Sequence, residues 1–193
     1  MYDNPENMKK AWVICNSILN KYPPRKNENK FIYGISCERV LIRCMNEFEK
    51  CECLDNTVRV GSSYKNDCNF PFLNTQLSIK CTKRGGSIII INKLNKFEHN
   101  ILGMQMAIIH FCHRRIYLFT HTEEFQQFVK SDGATIRYKS SLFTYLKKNP
   151  RYYYEFPLEF DNYINKNITS QTGNIYDQIV DEEFNQYVMR THA

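Results

Sequence analysis

The sequence predicts an α/β (α+β) protein, with helices near both ends of the chain and strands between them. Three observations predict it. Apolar residues recur at helical spacing near the N-terminus (Ala11, Trp12, Cys15, Ile18, Leu19) and again at Cys37, Leu41, Cys44, Met45 and Phe48. From Leu77 to Ile91 and from Leu102 to Thr120 the chain instead alternates, or runs in short β-branched and aromatic blocks. A further helical repeat, Ile175, Ile179, Val180 and Tyr187, lies near the C-terminus.

Taken in order, the first helix covers Pro5–Lys21 and is stopped by Pro23-Pro24. After the polar linker PPRKNENK, residues Phe31–Gly34 lead into a second helix. Ser36 is its expected N-cap, which puts Glu38 in the first turn, where the helix dipole favours a carboxylate. A short strand is expected over Thr57–Val60, then a turn towards Asp67; Pro71 argues against a long central strand there. From Gln76 the residues alternate, and Lys83-Arg84-Gly85-Gly86 supplies turn residues before Ser87–Ile91, so Gln76–Asn92 reads as a hairpin. Leu102–Phe111 and Ile116–Thr120 read as a second hairpin. Thr122 is the expected cap of a short helix over Glu123–Val129, followed by a strand at Thr135–Tyr138 and a short helix at Leu142–Lys148 ended by Pro150. The stretch YLKKNPRYYYEF mixes cations with tyrosines, which suits either stacking on bases beside phosphates or amphipathic surface packing. The expected division is residues 1–30 as an N-terminal helix and linker, 31–150 as a core, and 151–193 as a C-terminal helical extension packed on it.

With 193 residues, 42% of them hydrophobic, the chain can bury a core of its own. Its 26 basic residues against 20 acidic give a net charge of +6, a mild surplus that a nucleic-acid partner would use but that does not demand one. No apolar run approaches the length of a membrane span, so no membrane partner is expected. The polar start MYDNPENMKKAW does not read as a secretory leader, and eight cysteines then imply reduced thiols in a cytoplasmic or nuclear setting. Cys51-Glu52-Cys53 and His110-Phe111-Cys112-His113 lack the spacing of structural zinc sites.

The stretch with the most chemistry is DCNFPFLNTQLSIKCTK, from Asp67 to Lys83. Leu77, Ile79 and Cys81 fall on one face of the strand, Gln76, Ser78, Lys80 and Thr82 on the other. That polar face is either solvated or lines a site. Read alone, Asp67 is equally a loop residue and Lys80 an exposed strand lysine.

An aspartate before a short turn, then a lysine on the next strand two residues after a polar side chain, resembles the PD-(D/E)XK nucleases, the restriction-endonuclease-like superfamily. The resemblance covers Ser36 to Phe119. It implies a central mixed sheet flanked by helices and a Mg²⁺-dependent hydrolysis of DNA phosphodiester bonds, with Mn²⁺ able to substitute. Asp67 then corresponds to the metal-binding aspartate and Lys80 to the lysine that positions water or phosphate. Ser78 stands where the second carboxylate is expected, as in members that carry Ser-X-Lys and take their acid from elsewhere; Glu38 is the first candidate for it and Glu98 the second. The chain departs from the family in placing strand Ser87–Ile91 where a helix usually follows the lysine strand. Such chemistry needs a hard cation that lowers the pKa of a water, carboxylate oxygens to hold it, and a point charge for the phosphate. Phosphate contacts are expected from Lys83, Arg84, Arg114 and Arg115, at turns flanking the site. A homodimer would suit symmetric cutting of a duplex. The residue types do not separate DNA from RNA. Two other readings fit the same residues: a nucleic-acid-binding module in which Ser78 marks a lost acid, and a protein-interaction module.

Overall fold

The computed structural model describes residues 4–23, 27–49, 54–55, 68–70, 75–83, 86–92, 101–131, 135–156 and 175–191. The protein is α+β, combining helices with a mixed sheet and a separate antiparallel sheet. It divides into two units, residues 1–58 with 156–193 and residues 59–155.

The first unit is helical. Helix α1 (Pro5–Lys21) starts where the Asn4 side chain accepts hydrogen bonds from the N–H groups of Glu6 and Asn7, at 2.9 and 3.2 Å, with proline at the first position. Its span is the expected one. Helix α2 (Asn27–Glu49) begins well before Ser36, which is therefore not an N-cap. Ser36 lies fully buried inside the helix with its hydroxyl unpartnered, and Glu38 is an interior residue instead of a first-turn one. The physical reason is that no proline falls between Pro24 and Glu49, and Ile32, Tyr33, Ser36, Cys37, Val40 and Leu41 bury one continuous helical stripe. Tertiary burial of such a stripe extends a helix further than local capping signals alone. A two-residue strand, β1 (Leu54–Asp55), follows.

Helix α4 (Ile175–Thr191) buries Ile179, Val180, Glu183 and Phe184. It is held to the other two helices by charge as well as apolar contact. Lys21 pairs with buried Glu183, which also accepts from Ser17 Oγ at 2.5 Å, while Lys21 Nζ donates to Gln186 at 2.9 Å. Arg39 reaches Asp177 at 2.6 Å and Arg43 reaches Asp181 at 2.5 Å. Trp12 stacks on Phe156 with ring centroids 5.2 Å apart.

The second unit holds both sheets. Strands β2 (Cys68–Phe70), β3 (Thr75–Thr82), β5 (Gln105–His110), β6 (Arg115–Thr120) and β9 (Tyr153–Glu155) lie side by side in the order β2-β3-β5-β6-β9. β3 and β5 are parallel and the other neighbours antiparallel. Strands β4 (Ile88–Asn92), β8 (Thr135–Tyr138) and β7 (Val129–Ser131) form the second, antiparallel sheet. The β5–β6 hairpin is the expected one. The Gln76–Asn92 hairpin does not form: β4 pairs with β8, and β3 takes β5 as its neighbour. β3 thus gains partners on both sides and is an inner strand, with Leu77, Ser78 and Ile79 all buried.

Between the sheets lies one apolar cluster that includes Ile88, Ile90, Met106, Ile108, Tyr117, Phe119, Phe125, Tyr138 and Phe143. Each such side chain contributes about 1.5–3 kcal/mol on burial. Residues Glu123–Phe128 form a 3₁₀ turn, and Thr122 before it makes no capping bond through its side chain. Helix α3 (Ser141–Leu146) follows and places Leu142, Phe143 and Leu146 in the cluster. Among the described residues no helix is long and apolar enough to cross a membrane. The strand expected over Thr57–Val60 lies outside the described residues.

Candidate functional site

The register of the mixed sheet decides which polar residues share a face. Ser78 pairs with Met106, Lys80 with Ile108 and Thr82 with His110 across β3–β5. Met106 pairs with Phe119, Ile108 with Tyr117 and His110 with Arg115 across β5–β6. Arg115 pairs with Glu155 and Tyr117 with Tyr153 across β6–β9. Paired residues in adjacent strands point to the same face. Two rows therefore lie on the face that carries Lys80: Lys80, Ile108, Tyr117, Tyr153, and beyond it Thr82, His110, Arg115, Glu155. The second row ends the two parallel strands at their carboxyl side, the edge at which open α/β sheets usually bind ligands.

His110 is fully buried there. Its ring stacks on that of His113, centroids 3.5 Å apart, and Phe143 meets both rings edge-on. The His113 backbone N–H donates to His110 Nδ1 at 3.3 Å. An accepting Nδ1 in a neutral imidazole leaves the proton on Nε2, and that Nε2 has no hydrogen-bond partner. His113 Nδ1 lies 3.0 Å from the Tyr117 hydroxyl. The Arg115 guanidinium donates to Glu155 at 3.0 Å and lies 4.2 Å over the Tyr153 ring, while its Nε is buried without an acceptor.

Burial, then the neighbouring His113 and Lys147, pushes His110 down to about 3. His113 is pushed down to about 4 by burial, Lys147 and Arg115. Lys147, just past α3, is itself lowered by burial and by Arg115. Burial opposes the Arg115 charge, but hydrogen bonds to Tyr117 and Glu155 outweigh it and hold the guanidinium above its ordinary value. The result is a corner with two fixed cations, one partly exposed carboxylate and a neutral histidine pair. Chemically it offers more donors than acceptors.

Of the residues expected from the sequence, Ser78 is fully buried on β3 and Lys80 is half-buried two positions on. Glu38 is a half-buried residue of α2 in the first unit. Lys83 is exposed, its carbonyl accepting from the Cys112 thiol. Arg114 occupies the left-handed turn position of the β5–β6 hairpin at φ 54°. Asp67, Glu98 and Arg84 lie outside the described residues. Among the described residues, no group of three or more His, Cys, Asp or Glu side chains gathers to hold a metal ion.

In the sequence His110 and His113 stand out only as lacking the spacing of a zinc site, and nothing there singles out Tyr117, Lys147 or Glu155. The spacing His110-x-x-His113-x-x-x-Tyr117 was the legible signal. Lys147 and Glu155 reach the same corner only through α3 and the β6–β9 pairing. Comparison of this chain with known protein families, characterised proteins and solved structures finds no match.

Proposed function

We propose that the chain is a Mg²⁺-dependent endonuclease that hydrolyses DNA phosphodiester bonds. The observation that supports this most is the ladder of β2 with β3. Cys68, the residue that follows Asp67 in the sequence, pairs with Leu77, and Ser78 and Lys80 continue the same strand. Metal-assisted phosphoryl chemistry needs a carboxylate for the cation and a positive charge for the phosphate, and Asp67, next to Cys68 in the sequence, and Lys80 are residues of those types. Mg²⁺, when bound, supplies charge neutralisation and an acidified water; Asp67 would hold it, together with a second carboxylate such as Glu98. Lys80 orients the phosphate as a point charge beside the reacting group. Ser78 carries no charge and is buried, so it offers the metal no carboxylate.

Plasmid cleavage with and without metal tests the reading. Wild type should nick or linearise DNA in Mg²⁺ or Mn²⁺. Asp67→Ala and Lys80→Ala should abolish cleavage, and Ser78→Ala should stay within roughly tenfold of wild type, since a neutral hydrogen bond is worth about 0.5–1.5 kcal/mol. Asp67→Ala should bind DNA as well as wild type or more tightly, because a negative charge has gone. A wild type inert in both metals, or an Asp67→Ala variant that still cuts, overturns the proposal.

A further inference from the structure

The His110–Arg115 corner has a second consequence that does not depend on nuclease chemistry. We propose that the end of β5 and β6 is a binding site for a phosphate-class oxyanion, held by His110, His113, Arg115 and Lys147.

His110 and Arg115 are direct cross-strand partners. Each carries a buried N–H that finds no acceptor, Nε2 of the histidine and Nε of the arginine. Leaving a buried donor unmade costs free energy, and buried polar groups are rarely left so. Two orphaned donors on opposed residues are both met by a ligand with several acceptor oxygens. The charge around them has the same sign. Arg115 and Lys147 bring two positive charges, and Glu155, the one carboxylate paired here, is half exposed at 49% and already accepts a hydrogen bond from Arg115 Nη2. Lys147 is exposed to solvent and His110 is fully buried. The aromatic walls of Phe143 and Tyr117 lower the local dielectric, which strengthens charge-assisted hydrogen bonds made inside. The cations and the histidines presently work against one another, since Lys147 and Arg115 help to keep His113 neutral and Lys147 helps to keep His110 so. An anion placed among them reverses that repulsion and favours histidine protonation. A tetrahedral oxyanion suits the corner better than chloride because it carries several acceptor oxygens, each able to take a separate donor.

The full chain, labelled with ¹⁵N, is titrated at pH 7 with inorganic phosphate, a 5′-mononucleotide or a short single-stranded oligonucleotide, against sodium chloride of matched ionic strength. Histidine side-chain ¹⁵N resonances are the readout, assigned with His113→Gln. The expected result is a saturable shift of His110 and His113 with at least one phosphate compound and none with chloride. The same titration followed over pH should show the His113 midpoint rising when the site is filled. Lys147→Ala, an exposed position that should not disturb folding, should weaken binding roughly tenfold or more, the usual worth of a hydrogen bond to a charged group. Arg115→Lys keeps the charge but loses the Nε donor and should also weaken it. A stronger response to the mononucleotide than to the oligonucleotide identifies a free phosphate as the ligand, and the reverse identifies a phosphodiester backbone; both support the site. Shifts that track ionic strength alone, or that survive Lys147→Ala unchanged, overturn it and leave the two donors to ordered water.

Discussion

His110 and His113 show how much one residue's surroundings change its chemistry. An isolated histidine titrates near 6.5, yet burial and nearby cations hold this pair at about 3 and about 4 in the folded chain. Below pH 6.5 the unfolded chain therefore binds protons that the folded chain refuses, and stability must fall as acid is added. Each group adds up to about 1.4 kcal/mol per pH unit to that slope, over the window from pH 6.5 down to its folded value. His113 is partly exposed, so screening reduces its share. Urea unfolding midpoints at pH 7 and pH 5 test this: wild type should lose stability between them, and a His110→Leu, His113→Leu variant should lose visibly less. Equal losses would show that the pair is not kept neutral. The spacing of the two histidines is plain in the sequence. Their stacking is not, because it needs the turn at Arg114 and the ring of Phe143 from another element.

At the scale of elements, α4 carries the clearest test. Its buried stripe includes Glu183, which meets Lys21 and Ser17 of α1 instead of solvent. Removing one partner from a buried ion pair strands the other charge, at a cost of about 3–5 kcal/mol. Lys21→Met alone should thus lower the urea midpoint sharply, as should Glu183→Leu alone. The double variant should recover much of the loss, because no buried charge remains, and a double-mutant cycle measures the recovery. Additive losses would mean that the pair contributes nothing beyond its separate parts. The apolar repeat of α4 is readable from Ile179 and Val180, whereas nothing in the sequence sets Glu183 apart from other carboxylates. Strand β4 gives the same lesson. Its isoleucine run marks a strand in any reading, but the adjacent Lys-Arg-Gly-Gly turn pointed to β3 as its partner, and β8 won. A short turn makes a hairpin available without making it the lowest-energy pairing when β5 can occupy the same edge of β3.

Across the whole molecule, the net charge of +6 is modest, so any nucleic-acid binding must rest on local groups. Lys83 and Arg114 are the described expected phosphate contacts not seen in an ion pair with a carboxylate, while Arg115 is tied to Glu155. Replacing Lys83 and Arg114 together with alanine should reduce the salt slope of duplex binding by about 0.9 per lost phosphate contact. An unchanged slope in a filter or anisotropy assay would turn both residues away from DNA. What the sequence determined by itself is the local part: α1 with its proline stops, the apolar stripe of α4, the β5–β6 hairpin, the strand that carries Ser78 and Lys80, and the α+β class. Each follows from a period of 3.6 or 2 and from turn residues a few positions away. The tertiary structure alone decided that β3 is an inner strand with Ser78 buried, that β4 belongs to a second sheet, and that His110, Arg115, Lys147 and Glu155 meet at one corner. Those outcomes depend on which distant segments share buried surface and hydrogen bonds, and periodicity names the face of an element without naming its partner.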